Sequence, residues 1–140
     1  MTPSDRAFLT VLFQAAVTAA NPEALRAAHL PARPKGRTVV IGAGKGAAQL
    51  APARERLWDA PVEGVVVTRY GYGCPTQTIR VMEAAHPVPD AAGLAPSAAL
   101  FRAVEGLLPE DLVTALVCGG GSALLPCPPG AISRSRTRRA

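Results

Sequence analysis

The chain has 140 residues, of which 49% are hydrophobic and 18% are charged, so it is long and apolar enough for one folded domain and is not disordered. The C-terminal stretch SRSRTRR holds four of the 15 Lys and Arg residues, and the remaining 11 nearly balance the 10 acidic residues. This balance, with only 4% aromatic residues, argues against a nucleic-acid surface. Three cysteines without a C-x-x-C pair argue against disulfides or zinc and favour a reducing, cytoplasmic setting.

The first predicted element is an amphipathic helix that begins after Ser4 as its N-cap and runs to about residue 20. Its apolar side chains recur at helical spacing, whereas polar residues recur every four positions from Thr10, which a signal-peptide core would not show. A second helix is predicted to follow, with Asn21 as its N-cap and Pro22 in its first turn. No stretch is long enough to span a bilayer, so no membrane partner is expected.

Strands and helices alternate along the middle of the chain. The apolar runs TVVIG (38–42) and GVVVT (64–68) predict strands covered on both faces, with a helix over KGAAQLAPARERLW between them. TIRVMEA (78–84) alternates as an edge strand does, Asp90 is predicted to cap a helix that reaches Leu108, and DLVTALVCGG is predicted to be the last strand. This order predicts an α/β fold with a Rossmann-like, partly parallel sheet flanked by helices. Ligands of such sheets bind at the carboxyl ends of the strands.

A glycine-rich turn, GAGKG, follows the first of these strands and contains Gly42, Gly44 and Lys45. It lacks the spacing of a Walker A loop, but it matches the G-x-G-x-x-A pattern of dinucleotide-binding sites. Such sites have a carboxylate for the ribose at the end of the next strand, whereas this chain has Thr68 and Arg69, which suit at best a 2′-phosphate. The turn therefore leaves an NADP-type reductase open as an interpretation.

A second glycine-rich turn, GGGSA, ends the last predicted strand. Leu124 stands where the nucleophile elbow of a serine hydrolase needs glycine, which argues against a hydrolase. The turn offers the bare amide groups of Gly119, Gly120 and Gly121, and Ser122 is predicted to begin a helix. Such amides form anion cradles, and Lys45 at the same edge adds the positive charge that phosphoryl transfer requires. Either turn alone is also typical of a tight strand–helix connection; the two together favour a phosphate site.

Four sequence blocks then resemble the N-terminal domain of the glycerate 2-kinase family, which is also labelled hydroxypyruvate reductase. They are VVIGAGKGAA, GVVVTRYGYG, EAAHPVPDAAG and GGGSALLP, in the family's order and spacing. The resemblance implies an enzyme that transfers phosphate from ATP to D-glycerate, giving 2-phosphoglycerate, with Mg²⁺ or another divalent metal. Its active site would lie in a cleft between a Rossmann-like N-terminal domain and a C-terminal domain. The chain departs from the family pattern at Tyr72, Ala85 and Cys118, where histidine, glycine and serine are usual.

The resemblance also implies roles for individual residues. Lys45 would be catalytic or contact a phosphate, and Arg69 and His86 would reach the same cleft. The nucleotide would be held by the turn residues Gly42, Gly44, Gly119, Gly120, Gly121 and Ser122. Asp90 is predicted to be a helix cap in preference to a metal ligand, and the metal ligands stay unassigned.

The last expectation concerns the end of the chain. Residues 1–130 correspond to the N-terminal part of the family's first domain, so the sheet is expected to be incomplete at its C-terminus. Residues 131–140 form a basic tail that is expected to be disordered or to be a frameshifted reading. The frameshift is suggested because codons for residues 134–138 exist that, in another frame, encode Leu-Glu-Asp-Lys, which is like the family's continuation at this point. The chain alone is therefore expected to be inactive and prone to aggregation until a C-terminal domain completes the cleft. A reductase and an inactive remnant stay open as alternatives.

Overall fold

A parallel sheet of four strands lies at the centre of the computed structural model, which describes residues 2–21, 29–119 and 123–127. The strands are β1 (Thr38–Gly44), β2 (Glu63–Arg69), β3 (Ile79–Ala84) and β4 (Leu112–Cys118). Their order across the sheet is β3-β2-β1-β4, and each neighbouring pair runs parallel. The predicted α/β fold is confirmed, and the four carboxyl ends meet at one edge of the sheet, here called the carboxyl edge.

The two central strands are built from β-branched side chains. Val39 and Val40 of β1, like Val66 and Val67 of β2, are almost fully buried, as expected for strands covered on both faces. β3 lies at one edge of the sheet, as its alternating sequence predicted. β4 lies at the opposite edge of the described sheet, and much of this strand is exposed, including Val117.

Two helices cover the opposite faces of the sheet. They are α2 (Ala47–Leu57), between β1 and β2, and α3 (Leu94–Ala103), between β3 and β4. Val66 packs in a cluster with Ala51 of α2, whereas Val67 packs in a second cluster with Leu100 of α3. Because successive strand residues point to opposite faces, the two clusters are the two halves of the core.

Helix α2 contains a proline and a fully buried arginine. Pro52 lies in its second turn, within the helix that the sequence predicted. The Arg54 guanidinium lies 3.8 Å from the centre of the Trp58 ring, and its Nη2 donates a hydrogen bond to Thr114 Oγ1 at 3.2 Å. The second of these contacts joins α2 to β4, so this edge strand is held by side chains as well as by its ladder with β1.

The N-terminal helix α1 (Pro3–Ala19) is capped by Thr2, so the prediction of Ser4 as the cap was wrong. Thr2 and Asp5 form a reciprocal capping box: Asp5 N donates to Thr2 Oγ1 at 3.1 Å, and Thr2 N donates to Asp5 Oδ2 at 2.8 Å. Pro3 then occupies the first helical position. No side chain of α1 is buried, and Phe13 is 69% exposed. The predicted helix is present, but its apolar face has no covering element in the described part of the chain.

The segment after β3 differs in length from the prediction. Asp90 caps a 3₁₀ turn (Ala91–Gly93), and α3 continues from it but ends at Ala103 and does not reach Leu108. The chain leaves the α-helix there because Val104 N and Glu105 N bond three residues back, to Phe101 O and Arg102 O, and the left-handed Gly106 follows.

Two predicted helices fall at least partly outside the described residues. The helix predicted after Asn21 lies there, and so does the start of the helix predicted at Ser122. Residues 123–127 are described and form turns, not a helix. The predicted tail 131–140 also lies outside the described ranges. Among the helices that the structure does describe, none has the length and apolar character to cross a membrane.

Candidate functional site

The carboxyl edge brings together the predicted site residues that the structure describes. Lys45 follows β1, Arg69 is the last residue of β2, His86 comes two residues after β3, and Gly119 follows β4. Gly120, Gly121 and Ser122 lie outside the described residues. The four described positions come from four parallel strands, which is how the sequence predicted that they would meet.

The glycines of β1 are required by the packing of β1 against β4. A Cβ on Gly42 would lie 2.7 Å from Leu116 O, and a Cβ on Gly44 would overlap the carbonyl oxygen of Cys118. Gly44 also has φ +131°, which L side chains rarely adopt. The close approach of a neighbouring strand therefore accounts for both glycines, and their predicted contact with a nucleotide stays a prediction.

The turn between β1 and α2 presents a cation beside a helix N-terminus. Lys45 is exposed, and its carbonyl oxygen accepts a hydrogen bond from the buried Thr68 hydroxyl at 3.2 Å, which fixes the turn. Gly46 is the N-cap of α2, and no side chain caps this helix. A Cβ on Gly46 would lie 2.7 Å from Cys118 Sγ, so the thiol of Cys118 packs against the start of α2. The uncapped helix start and the lysine offer N–H donors and positive charge to an anion.

Gly119 differs from Gly44 because space is open around it. Its φ is +96°, and a Cβ there would meet no atom of the described residues within 4 Å. Packing within the described chain therefore does not require this left-handed backbone. It turns the chain at the end of β4 into the second glycine-rich stretch, where the sequence predicted an anion cradle.

Arg69 is stacked on an aromatic ring at this edge. Its Cζ lies 3.5 Å from the centre of the Tyr72 ring, and its Nε is buried without a hydrogen-bond partner in the described structure. The Tyr72 N–H donates to Arg69 O at 3.2 Å, which closes the turn that brings the two residues together. The stacked pair was not predicted, because no sequence pattern identifies which ring an arginine will contact.

His86 contributes a second buried polar atom without a partner. Its Nδ1 is buried and has no hydrogen-bond partner among the described residues, and the His86–Pro87 peptide bond is cis. Buried polar atoms are normally satisfied, so an unpartnered Nδ1 and the unpartnered Arg69 Nε at one edge suit a polar ligand.

Asp90 is engaged within the fold. Its Oδ2 accepts a hydrogen bond from Tyr70 Oη at 2.7 Å, and its Oδ1 accepts one from Gly93 N at 3.2 Å. The hydrogen bond between Tyr70 and Asp90 raises the pKa of Tyr70 and holds the pKa of Asp90 below its usual value. The bond from Gly93 N is that of the cap that the sequence predicted, here at a 3₁₀ turn, and the bond from Tyr70 is an additional contact. The described residues contain no group of three His, Cys, Asp or Glu side chains that could hold a metal ion.

The described chain has cavities away from the carboxyl edge. A cavity of about 590 Å³ lies at the start of β1 and is lined by Lys35, Arg37 and Asp111 among others, and one of about 380 Å³ is lined by Arg37, Glu63 and Arg80 among others. Two more lie on the faces of the sheet. One of about 330 Å³ runs between α2 and β4 and is lined by Leu50, Arg54 and Leu116 among others. Another, of about 200 Å³, lies under α3 and is lined by Ile41 and Leu100. The linings of these two are mainly apolar, although Arg54 lines the first, and Lys45, Arg69, His86 and Gly119 line none of the four cavities.

Comparison with known proteins gives consistent matches. A family model described as a domain of unknown function, DUF4147, matches residues 8–140. A protein of Agrobacterium vitis with a provisional hydroxypyruvate reductase name is 46% identical over 136 residues, which cover 96% of this chain and 31% of that protein. The glycerate 2-kinase of Pyrococcus horikoshii is 39% identical over 99 residues, covering 71% of this chain and 22% of that protein.

The fold is also found in solved structures. The crystal structure of the glycerate kinase from Thermotoga maritima superposes with a TM-score of 0.78 at 27% identity, covering 94% of this chain and 32% of that one. The chain thus spans about a third or less of the length of the relatives that it matches.

Proposed function

This chain belongs to the DUF4147 family. Because its relatives include the glycerate 2-kinase of Pyrococcus horikoshii, we propose that it forms the N-terminal part of an ATP-dependent glycerate 2-kinase. The reaction would transfer a phosphoryl group to a hydroxyl of D-glycerate, a small hydroxy acid, giving 2-phosphoglycerate. One observation carries the proposal. The carboxyl ends of four parallel strands place four residues at one edge: Lys45, Arg69, His86 and Gly119. The lysine is exposed, the arginine and the histidine each have a buried nitrogen without a partner among the described residues, and the glycine begins an open turn.

Phosphoryl transfer requires mainly that the protein position the reactants and neutralise charge. Lys45 is suited to neutralising charge, since its ammonium is exposed beside the uncapped start of α2. Arg69 and His86 are suited to positioning the substrate, because each has a nitrogen without a hydrogen-bond partner among the described residues. The hydroxyl of the acceptor would be held between these groups and the phosphates.

The described residues fit a nucleotide better than they fit a metal. ATP would supply the phosphoryl group, and its phosphates would be held by Lys45, by the start of α2 and by the turn at Gly119, with Gly120, Gly121 and Ser122 as proposed continuations. A Mg²⁺ or other divalent ion is also part of the proposal. The described residues do not supply a ligand set for it, since the Asp90 carboxylate is bonded within the fold.

The reductase alternative has support from the G-x-G-x-x-A pattern and from the name of the Agrobacterium vitis relative. The end of β2 argues against it. A dinucleotide site has a carboxylate there for the ribose hydroxyls, whereas the Thr68 side chain is fully buried, so only Arg69, which suits a 2′-phosphate, could serve an NADP-type cofactor. The kinase therefore ranks first, and an inactive remnant ranks last.

The further parts of the proposal concern the surroundings of the enzyme. A C-terminal domain would complete the cleft, so the 140-residue chain is expected to show no turnover by itself. The cytoplasm is the proposed location, because Cys74, Cys118 and Cys127 are all free thiols. A small-molecule substrate is expected, with no nucleic-acid or membrane partner.

A chimera tests the proposal. Residues 1–119 of this chain would replace the matching part of the Agrobacterium vitis relative, and the product would be assayed with ATP–Mg²⁺ plus D-glycerate and with NADPH plus hydroxypyruvate. We expect phosphorylation of D-glycerate and no tight binding of NADPH. Tight NADPH binding without ATP binding would reverse the ranking, and the unaltered relative serves as the control for folding and assay conditions.

A further inference from the structure

We propose that Tyr72 is a positioning residue, which holds the Arg69 guanidinium by its ring face and leaves the in-plane N–H donors for a carboxylate or phosphoryl oxyanion. The inference rests on the kinase site proposed above. It adds Tyr72 to that site and assigns Arg69 the binding of an oxyanion. The oxyanion is either the carboxylate of the hydroxy acid or a phosphate of the nucleotide.

The geometry of the pair supports this role. Arg69 Cζ lies 3.5 Å from the ring centre of Tyr72, so the ring covers one face of the planar guanidinium. The N–H donors of a guanidinium lie in its plane, and stacking leaves them available for a bidentate partner. Nε is buried without a partner, and no ion pair or side-chain hydrogen bond of Arg69 is present in the described part of the chain.

Nearby carboxylates are bonded to other groups. Glu83, which is next to Ala84 at the end of β3, accepts a hydrogen bond from Gly73 N at 2.8 Å. Asp90 accepts its bond from the Tyr70 hydroxyl. Neither forms an ion pair with Arg69, so the positive charge at the end of β2 is not neutralised by either of them.

Two backbone hydrogen bonds hold Tyr72 in place. The Tyr72 N–H donates to Arg69 O at 3.2 Å, and the Tyr72 carbonyl oxygen accepts from Gln49 Nε2 of α2 at 3.5 Å. Tyr72 is 43% exposed, so it is not a core side chain. Its extensive contact with a guanidinium, in a loop beside the candidate site, is therefore better explained by positioning than by stability.

Removing the ring should weaken binding of the anion. Without Tyr72 the guanidinium samples more rotamers, and the ordering must then occur when the anion binds, which costs about three- to tenfold in affinity. Tyr72→Phe keeps the ring and should bind as the original chain does. Tyr72→Leu removes the ring and should show the loss.

The test uses the full 140-residue chain labelled with ¹⁵N, and it follows the Arg69 Nε–H resonance, assigned by its absence in Arg69→Lys. D-glycerate and inorganic phosphate are titrated separately, which distinguishes the two sources of the oxyanion. We expect at least one of them to shift this resonance, with a Kd that is three- to tenfold higher in Tyr72→Leu than in Tyr72→Phe. In an Arg69→Ala background, where the Kd is followed through the backbone amide resonances of the carboxyl edge instead, Tyr72→Leu should change the Kd by less than twofold.

Any one of three results would overturn the inference. They are equal Kd values for the two Tyr72 variants, an equal effect of Tyr72→Leu with and without Arg69, and no shift at Arg69 with either anion. Melting temperatures of all variants show whether a loss of binding follows from a loss of folding. The result is separable from that of the chimera: a chimera without kinase activity contradicts the proposed function, whereas an active chimera with an unchanged Tyr72→Leu contradicts only this inference.

Discussion

Lys45 is the exposed cation of the carboxyl edge, and in the described part of the chain its ammonium has no ion-pair partner. If it neutralises charge on the phosphoryl group in the transition state, Lys45→Ala in the chimera should lower kcat by about 100-fold, with a smaller effect on KM. Lys45→Arg keeps the charge and should retain more of the activity. Steady-state kinetics with D-glycerate measures both variants, and a change in kcat below twofold for Lys45→Ala would assign the residue a structural role.

Gly44 and Gly119 both have left-handed backbones, but only Gly44 is crowded. Gly44→Ala should destabilise the fold by about 3 kcal/mol or more, because the new Cβ overlaps Cys118 O and adds strain to an unfavourable φ. Gly119→Ala should cost only about 1 to 2 kcal/mol, from the backbone conformation alone. Urea unfolding of the two variants measures the difference, and equal losses would contradict the packing explanation.

The meeting of Lys45 and Gly119 at one edge was predictable because parallel strands share one direction. Arg69 and His86 were added by the family resemblance; they too follow or end strands of this sheet, and their roles stay predictions. The stacking of Arg69 on Tyr72 was not predictable, because it depends on the rotamer of each side chain and on the exact path of the loop after β2.

At the level of elements, a carboxylate of α2 fastens the edge strand β3. Glu55 Oε1 accepts hydrogen bonds from the amides of Thr78 and Ile79, both at 2.8 Å, and Oε2 accepts one from Gln77 N at 2.9 Å. Burial works to raise the pKa of Glu55, but the amide donors outweigh it and hold the pKa below its usual value. The ionised form therefore stabilises the attachment of β3.

We expect Glu55→Gln to lower the free energy of unfolding by about 1 kcal/mol at neutral pH. Because the folded-state pKa is depressed, the stabilisation is fully present above the unfolded-state value of about 4.3 and is lost as the pH falls through the folded one. The difference between the original chain and the variant should therefore shrink between pH 5 and strongly acidic pH. Glu105→Gln, in an exposed turn, is the matched control. A difference that stays constant over this pH range would contradict the assignment.

Element boundaries were harder to predict than element types. β1, α2 and β2 follow from continuous apolar runs and helical spacing, which tertiary packing reinforced. The end of α3 was missed because the sequence up to Leu108 stays compatible with a helix, whereas bonds to Phe101 O and Arg102 O close the helix early. The cap of α1 was missed because Thr2 and Ser4 are both good N-caps, and only Thr2 has Asp5 at the capping-box distance.

At the level of the whole molecule, apolar surface is concentrated on α1 and β4. The exposed side chains include Phe8, Leu9, Val11, Leu12, Phe13 and Val17 on α1 and Val113 and Val117 on β4. We expect the purified 140-residue chain to self-associate through these surfaces. Light scattering coupled to size exclusion measures the association, and Phe8→Ser/Phe13→Ser is the variant that should reduce it. A chain that stays monomeric at high concentration would contradict this expectation.

The thiol of Cys118, packed against Gly46 at the start of α2, gives the carboxyl edge a chemical reporter. Cys118 is exposed, and Cys74→Ser/Cys127→Ser would leave it as the single cysteine of the chain. The rate at which a maleimide alkylates Cys118 then reports whether a nucleotide is bound at the carboxyl edge. A nucleotide bound between Lys45 and Gly119 should shield Sγ and slow its labelling. Mass spectrometry measures the rate with and without ATP, and a rate that saturating ATP leaves unchanged would place the nucleotide elsewhere. Because this readout depends on reactivity and not on turnover, it detects a bound ligand whether or not the chain catalyses a reaction.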